Sequence, residues 1–86
     1  MPELSRFYGI VIRMFYDDHG TPHFHAAYGG QTAAFRIDPP GLLVGRLPPR
    51  ALGLVVEWAG LHRDELLGAW EAAKFGQTPS PIDPLP

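Results

Sequence analysis

Hydrophobic and polar positions divide the chain into two halves with different periods. From Phe7 to Tyr16 the run FYGIVIRMFY is rich in β-branched and aromatic residues and apolar on both faces. That is the pattern of a strand that is central or covered on both sides. Asp17 to Pro22 supplies turn chemistry through Asp-Asp, His-Gly and a proline. A second strand is predicted over 23–28, ending at Gly29-Gly30, a tight hairpin pair. A third follows over 31–37. Asp38-Pro39-Pro40-Gly41 then interrupts pairing. A short fourth strand is predicted over 42–47, with Gly45 marking a bulge or an edge position.

Beyond Pro48-Pro49 the period becomes helical. Leu52, Val55, Ala59, Leu66, Trp70 and Ala73 recur at threes, fours and one seven. A single helix from Arg50 to Phe75 would run about 39 Å and set Arg63 in the middle of its apolar stripe. Gly60 weakens the helix nearby. A break between Gly60 and Arg63 is therefore expected, with Asp64 and Glu65 in the first turn of a second helix. Gly76 is the natural stop. The last ten residues, 77–86, carry four prolines and no period, and read as an extended, mobile tail in which Ile82 and Leu85 are the candidates for docking. The predicted fold is α+β: an antiparallel sheet of three or four strands, then one broken helix or two helices packed on one face. The domain is residues 1–76 and the Pro-rich tail 77–86.

Size and composition narrow the setting. Eighty-six residues make one domain. A chain this short buries only about 60% of its unfolded surface, so association is a plausible source of stability. Trp58 and Trp70, near a wide apolar helix face, point to a homodimer or a docked partner. There is no cysteine, which removes disulfides, thiolate zinc sites and thiol nucleophiles. The formal charge of −2 argues against a surface that tracks nucleic acid throughout, although a local basic patch remains open. No apolar run reaches the roughly 18 residues of a membrane span, and MPELSR has no signal-peptide pattern. A cytoplasmic protein without a membrane partner is expected.

The chemistry is concentrated in the run DDHGTPHFH. Alternation along a strand points His23 and His25 the same way, with His19 four residues earlier across the turn. His19, His23 and His25, with Asp18, form a candidate ligand set for a divalent transition metal such as zinc. His23 and His25 are also candidate acid/base catalysts, since imidazole titrates near neutral pH. Arg13 and Arg36 are candidates to hold phosphate, and Tyr28 to stack a base, in RNA or DNA binding. Paired histidines on a strand serve equally well as a cover for a sheet face. His62 falls between Leu61 and Arg63 and reads as a half-buried structural residue at the helix break. In its functional alternative it joins the histidine cluster. No phosphate loop, nucleophile elbow or spaced carboxylate dyad is present.

SRFYGI, the YDDH turn, PHFHA and EWAGLHRDELL, in that order, resemble the small bacterial proteins grouped as domain-of-unknown-function family 4160. The resemblance runs from about residue 2 to residue 77. It departs from the family pattern between Gln31 and Arg46, where Pro39-Pro40 stands in place of a more acidic stretch. His19, His23 and His25 fall on family positions. The resemblance carries no established activity. It implies a partner: a second small protein encoded nearby, in a two-gene arrangement of the toxin–antitoxin or regulatory kind.

Overall fold

The structure, a computed structural model, describes residues 2–16 and 19–86. Five strands come first: β1 (Glu3–Phe7), β2 (Ile10–Arg13), β3 (His23–Tyr28), β4 (Gln31–Arg36) and β5 (Gly41–Gly45). Two helices follow, α1 (Pro49–Leu61) and α2 (Arg63–Lys74). The strands form one antiparallel meander in sequence order. The α+β class holds, with five strands rather than three or four.

The extra strand comes from inside the first apolar run. Tyr8 and Gly9 take φ of +52° and +82° and join Phe7 to its partner Ile10. Two consecutive residues with positive φ make the two-residue hairpin turn whose twist suits flanking strands. A tyrosine there is uncommon, because its Cβ disfavours the left-handed region. Its hydroxyl donates to the Pro86 carbonyl at 2.6 Å, which ties the turn down. What reads as one strand over 7–16 is thus the end of β1, a turn, β2 and a short non-strand stretch.

The pleat then sorts side chains. Ile10 and Ile12 of β2, Phe24 and Ala26 of β3, and Ala33 and Phe35 of β4 are buried in the main core. Phe24 and Phe35 sit in register and stack at 5.5 Å. From the helices come Ala51, Val55, Trp58 and Ala59 of α1 and Leu66, Ala69, Trp70 and Ala73 of α2. Trp58 is the hub of this layer: it is fully buried, with Phe7 at 5.4 Å and Phe24 at 5.8 Å between ring centroids. The helices therefore cover the sheet face that carries Phe24.

The helices part at His62, which has φ −119° and ψ 28°. The break turns Arg63 outward, half exposed, with Asp64 at 3.4 Å and Asp38 at 3.7 Å. An uninterrupted helix would have placed that charge in the apolar stripe, where it is expensive. Asp64 and Glu65 occupy the first turn of α2 and Lys74 the last, each favourable to the helix dipole. At the C-terminus, Gly76 has φ +76°, Gly76 N–H donates to Ala73 O, and Gln77 N–H donates to Ala72 O. That is a Schellman ending.

The tail is not a free appendage. Ile82 and Leu85 are buried in the main core. Ile82 N–H donates to Leu4 O at 2.7 Å and the Trp58 indole donates to Asp83 O at 2.8 Å. The Tyr16 and Thr78 hydroxyls lie 3.1 Å apart. The prolines leave the segment extended, and its two aliphatic side chains anchor it; the expectation of a mobile tail is corrected accordingly.

At the other end of the sheet, β5 shifts register between Ala34 and Phe35, whose partners are Val44 and Leu42. Leu43 is the extra residue of a bulge, two positions before Gly45. Gly45 has its own constraint: φ is +91°, and an added Cβ would lie 2.4 Å from Thr32 O and 2.7 Å from Ala33 Cα. Backbone on both counts cannot yield cheaply. Gly45→Ala is expected to lower stability by about 2–3 kcal/mol through strain and displacement of β5. Equilibrium urea unfolding checks this, and a midpoint equal to that of the parent chain would contradict it.

Candidate functional site on the open face of the sheet

Side chains on β3 alternate between two environments. Phe24, Ala26 and Tyr28 share one side, with Phe24 and Ala26 in the core; His23, His25 and Ala27 share the other. Register extends this second side across the sheet. Arg13 pairs with His25, His25 with Ala34, and Ala34 with Val44. His23 pairs with Arg36, and Val11 with Ala27 and then Thr32. Cross-strand partners have Cβ atoms about 4.5–5.5 Å apart. Arg13, His25, His23 and Arg36 therefore form one contiguous quartet. Two shallow cavities meet at His25, one of about 170 Å³ with Val11, Arg13 and Phe15, the other of about 220 Å³ with Ala34 and Val44. Neither helix contributes a residue to either cavity.

The two imidazoles are part of an aromatic row. Phe15 meets His25 edge-on at 4.2 Å, His25 lies 5.2 Å from His23, and His23 lies 5.1 Å from Trp70 of α2. Both histidines are half-buried. Such pairs add about 0.5–1.5 kcal/mol beyond the burial of their area, so the rings contribute to the scaffold whatever else they do. The Nδ1 of His23 is 2.8 Å from the Thr21 carbonyl. A carbonyl oxygen only accepts, so Nδ1 carries the proton.

Charge on this side is mixed at the β1 edge and positive further in. Glu3 pairs in register with Arg13 and receives hydrogen bonds from Arg6 at 2.8 and 3.2 Å. The Arg6 hydrogen bond holds the Glu3 carboxyl below its ordinary range against slight desolvation, and the charges of Arg6 and Arg13 add to the effect. Arg36 donates from Nε to the Pro39 carbonyl at 3.1 Å, which fixes its stem at the β4–β5 turn.

The structure divides the residues expected from sequence. Arg13 and Arg36 flank the His23–His25 pair on the open side. Tyr28 is on the opposite side, in register with Ile10, and lines a separate cavity with Tyr8, Pro48 and Leu54. It does not join the arginines. His19 is exposed in the turn before β3. Asp18, the carboxylate of the candidate ligand set, lies outside the described residues. Among the described residues no three of His, Asp and Glu are grouped to hold a metal ion. His62 is at the helix break, with Nδ1 2.6 Å from Glu65 and its ring 5.5 Å from Trp58. Sequence reasoning did not single out Phe15, Thr32, Ala34 and Val44 as members of this face. Only strand pairing reveals them, since each lies on a different strand or loop from the histidines.

The chain belongs to the family described as Domain of unknown function (DUF4160), whose model matches residues 9–71. No curated protein and no solved structure matches it. The matched span includes β2 to β5, α1 and most of α2, and so all four members of the Arg–His quartet.

Proposed function

We propose that the protein is a small cytoplasmic binding and regulatory module. It is one half of a two-protein bacterial system of the toxin–antitoxin kind, and it engages a second small protein through the open face of its sheet. The observation that carries this reading is the row Arg13–His25–Ala34–Val44, with Phe15 against His25, around two cavities that neither helix lines; α2 reaches this side at His23, through Trp70. Arginine and aromatic groups around small apolar residues are the composition of protein interfaces, where lysine is depleted. The one lysine of the chain, Lys74, is on α2. The family resemblance adds the second protein encoded nearby.

The test is co-expression with the neighbouring gene's product, followed by titration calorimetry. Arg13→Glu with Arg36→Glu is expected to weaken the complex at least tenfold, about 1.4 kcal/mol, and thermal unfolding of the variant separates that loss from the loss of the Arg36–Pro39 tether. An affinity that survives both reversals would remove the open face from the reading.

A second reading has its own observation: two imidazoles 5.2 Å apart, between Arg13 and Arg36, are an acid/base pair beside phosphate-binding groups. It predicts RNA cleavage that resists EDTA. His25→Ala separates the readings. As a site residue, its loss removes binding or cleavage from molecules that are still folded. As scaffold only, it lowers stability by about 1 kcal/mol through the lost ring contacts and leaves activity per folded molecule unchanged. Unfolding and activity measured on that one variant decide between them. Metal analysis of the purified protein, with and without EDTA, addresses a zinc-like ion at the same histidines.

A further inference from the structure

Charge is divided between the two sides of the molecule. Of the nine acidic residues, Glu57, Asp64, Glu65, Glu71 and Asp83 are on the helices and the tail. The five strands hold one carboxylate, Glu3, and three arginines, Arg6, Arg13 and Arg36. All three arginines fall on the open face. Arg6 pairs in register with Val11, Arg13 with His25, and Arg36 with His23. Arg46 is exposed just past the end of β5, its N–H on Thr32 O. Glu3 is taken up by Arg6 at 2.8 Å. Among the described residues, neither Arg13 nor Arg36 is in an ion pair at that range. The Nε of Arg36 is held by the Pro39 carbonyl, which leaves its two terminal nitrogens as an end-on fork for a carboxylate. Beside these arginines runs a small aliphatic strip, Val11, Ala27, Ala34 and Val44, which borders the two cavities at His25.

We propose that the partner segment seated on this face is acidic. An aliphatic side chain of the partner fills the cavities at His25, and its neighbouring carboxylates meet Arg13 and Arg36. The backbones of those two arginines are two strands and two residues apart, about 12 Å, which sets the spacing of the carboxylates. The inference names the partner chemistry of the proposed function and rests on that reading.

The composition of the face favours a protein over a nucleic acid. A nucleic-acid backbone asks for a continuous cationic track, and its bases for open rings on which to stack. Here aliphatic groups interrupt the arginines, Glu3 stands among them, and Phe15 is engaged edge-on with His25 at 4.2 Å. An apolar centre bordered by arginine is the composition of a protein interface. The helix face that carries Trp58 and Trp70 is used up inside the chain, at 0% and 6% exposure. The expectation that these tryptophans mark a docking surface is corrected, and docking falls to the other side of the sheet.

Zero-length cross-linking tests the chemistry in the complex with the neighbouring gene's product. A water-soluble carbodiimide joins a lysine amine to a carboxylate in contact with it. An amide forms, and the reagent takes up the lost water as a urea. Arginine does not react, and the one lysine, Lys74, is on α2, so the parent complex is the blank for this face. Arg13→Lys and Arg36→Lys keep the charge. Each is expected to give a cross-link to an Asp or Glu of the partner, located by mass spectrometry. Arg36→Lys gives up the Nε bond to Pro39, so Arg13→Lys decides alone if circular dichroism shows that variant unfolded. Titration calorimetry of the parent should show at least tenfold weaker binding between about 0.05 and about 0.5 M NaCl, as screened ion pairs require. No complex at all removes the proposed function, and this inference with it. A complex that Arg13→Glu with Arg36→Glu weakens, but that gives no link to a partner carboxylate, overturns this inference alone. So do links to a second copy of this chain in place of the partner, or a fluorescein-labelled oligouridine that displaces the partner from the parent chain.

Discussion

Removal of residues 78–86 is expected to leave a chain that is largely unfolded at 37 °C. Ile82 and Leu85 are 5% and 7% exposed and belong to the main core. Burying each contributes about 1.5–3 kcal/mol. The truncated chain also loses the bond from the Trp58 indole to Asp83 O at 2.8 Å, a net loss of about 0.5–1.5 kcal/mol once water replaces the acceptor. The summed loss, about 3.5–7.5 kcal/mol, is comparable to the whole stability of a domain of this size, at about 0.05–0.15 kcal/mol per residue. Thermal and urea unfolding measure the effect. A truncated chain with the parent's midpoint would show that the tail only lies on the surface. Ile82→Asp in the intact chain is a milder version with the same sign.

The second large effect is at Trp58. Trp58→Ala empties the centre of the layer formed with Phe7 and Phe24 and is expected to cost about 3–5 kcal/mol. Trp58→Phe separates packing from tethering. It keeps an aromatic ring between Phe7 and Phe24 but removes the N–H that holds Asp83. The Asp83 backbone is at the exposed tail, where water can take over its carbonyl, so the global loss should be smaller than for alanine. The local effect should be larger than the global one: amide exchange at Ile82, which bonds to Leu4 O, is expected to accelerate more than exchange in β3 or β4. Uniform acceleration across all strands would mean that the tail and the sheet open as one unit.

Much of this architecture is written in local pattern. Gly29-Gly30 specifies a hairpin because few other residues accept positive φ. The boundary between α1 and α2 was legible because a charge at Arg63 and a helical apolar stripe cannot both continue unbroken. The strand at 23–28 and its sorting of His23 and His25 follow from the two-residue pleat. Where the reading failed, the deciding partner is distant in sequence. The hairpin at Tyr8-Gly9 hides inside an apolar run because a tyrosine takes a glycine-like conformation, held by Pro86 some 78 residues later. The tail looked free because its composition is that of a linker, and its anchors meet Leu4 and Trp58 only in the folded state. The candidate site was half legible. The histidine pair and its two arginines could be named, yet Tyr28 was grouped with them although the pleat sends it to the other face.

The bond between Ile82 and Leu4 brings the first strand and the last segment of the sequence together. A meander and a helix pair are built from neighbours and can assemble in the order in which they are made. Here, however, Ile82 and Leu85 complete a core begun at Leu4, so β1 and Trp58 stay uncovered until that segment has docked. Joining stretches so far apart in sequence carries a loop-closure cost that the local hairpins and the helix pair do not. A folding species with the sheet and helices formed but residues 78–86 undocked keeps an open strand edge and an exposed apolar seam, the features that make such species prone to aggregate.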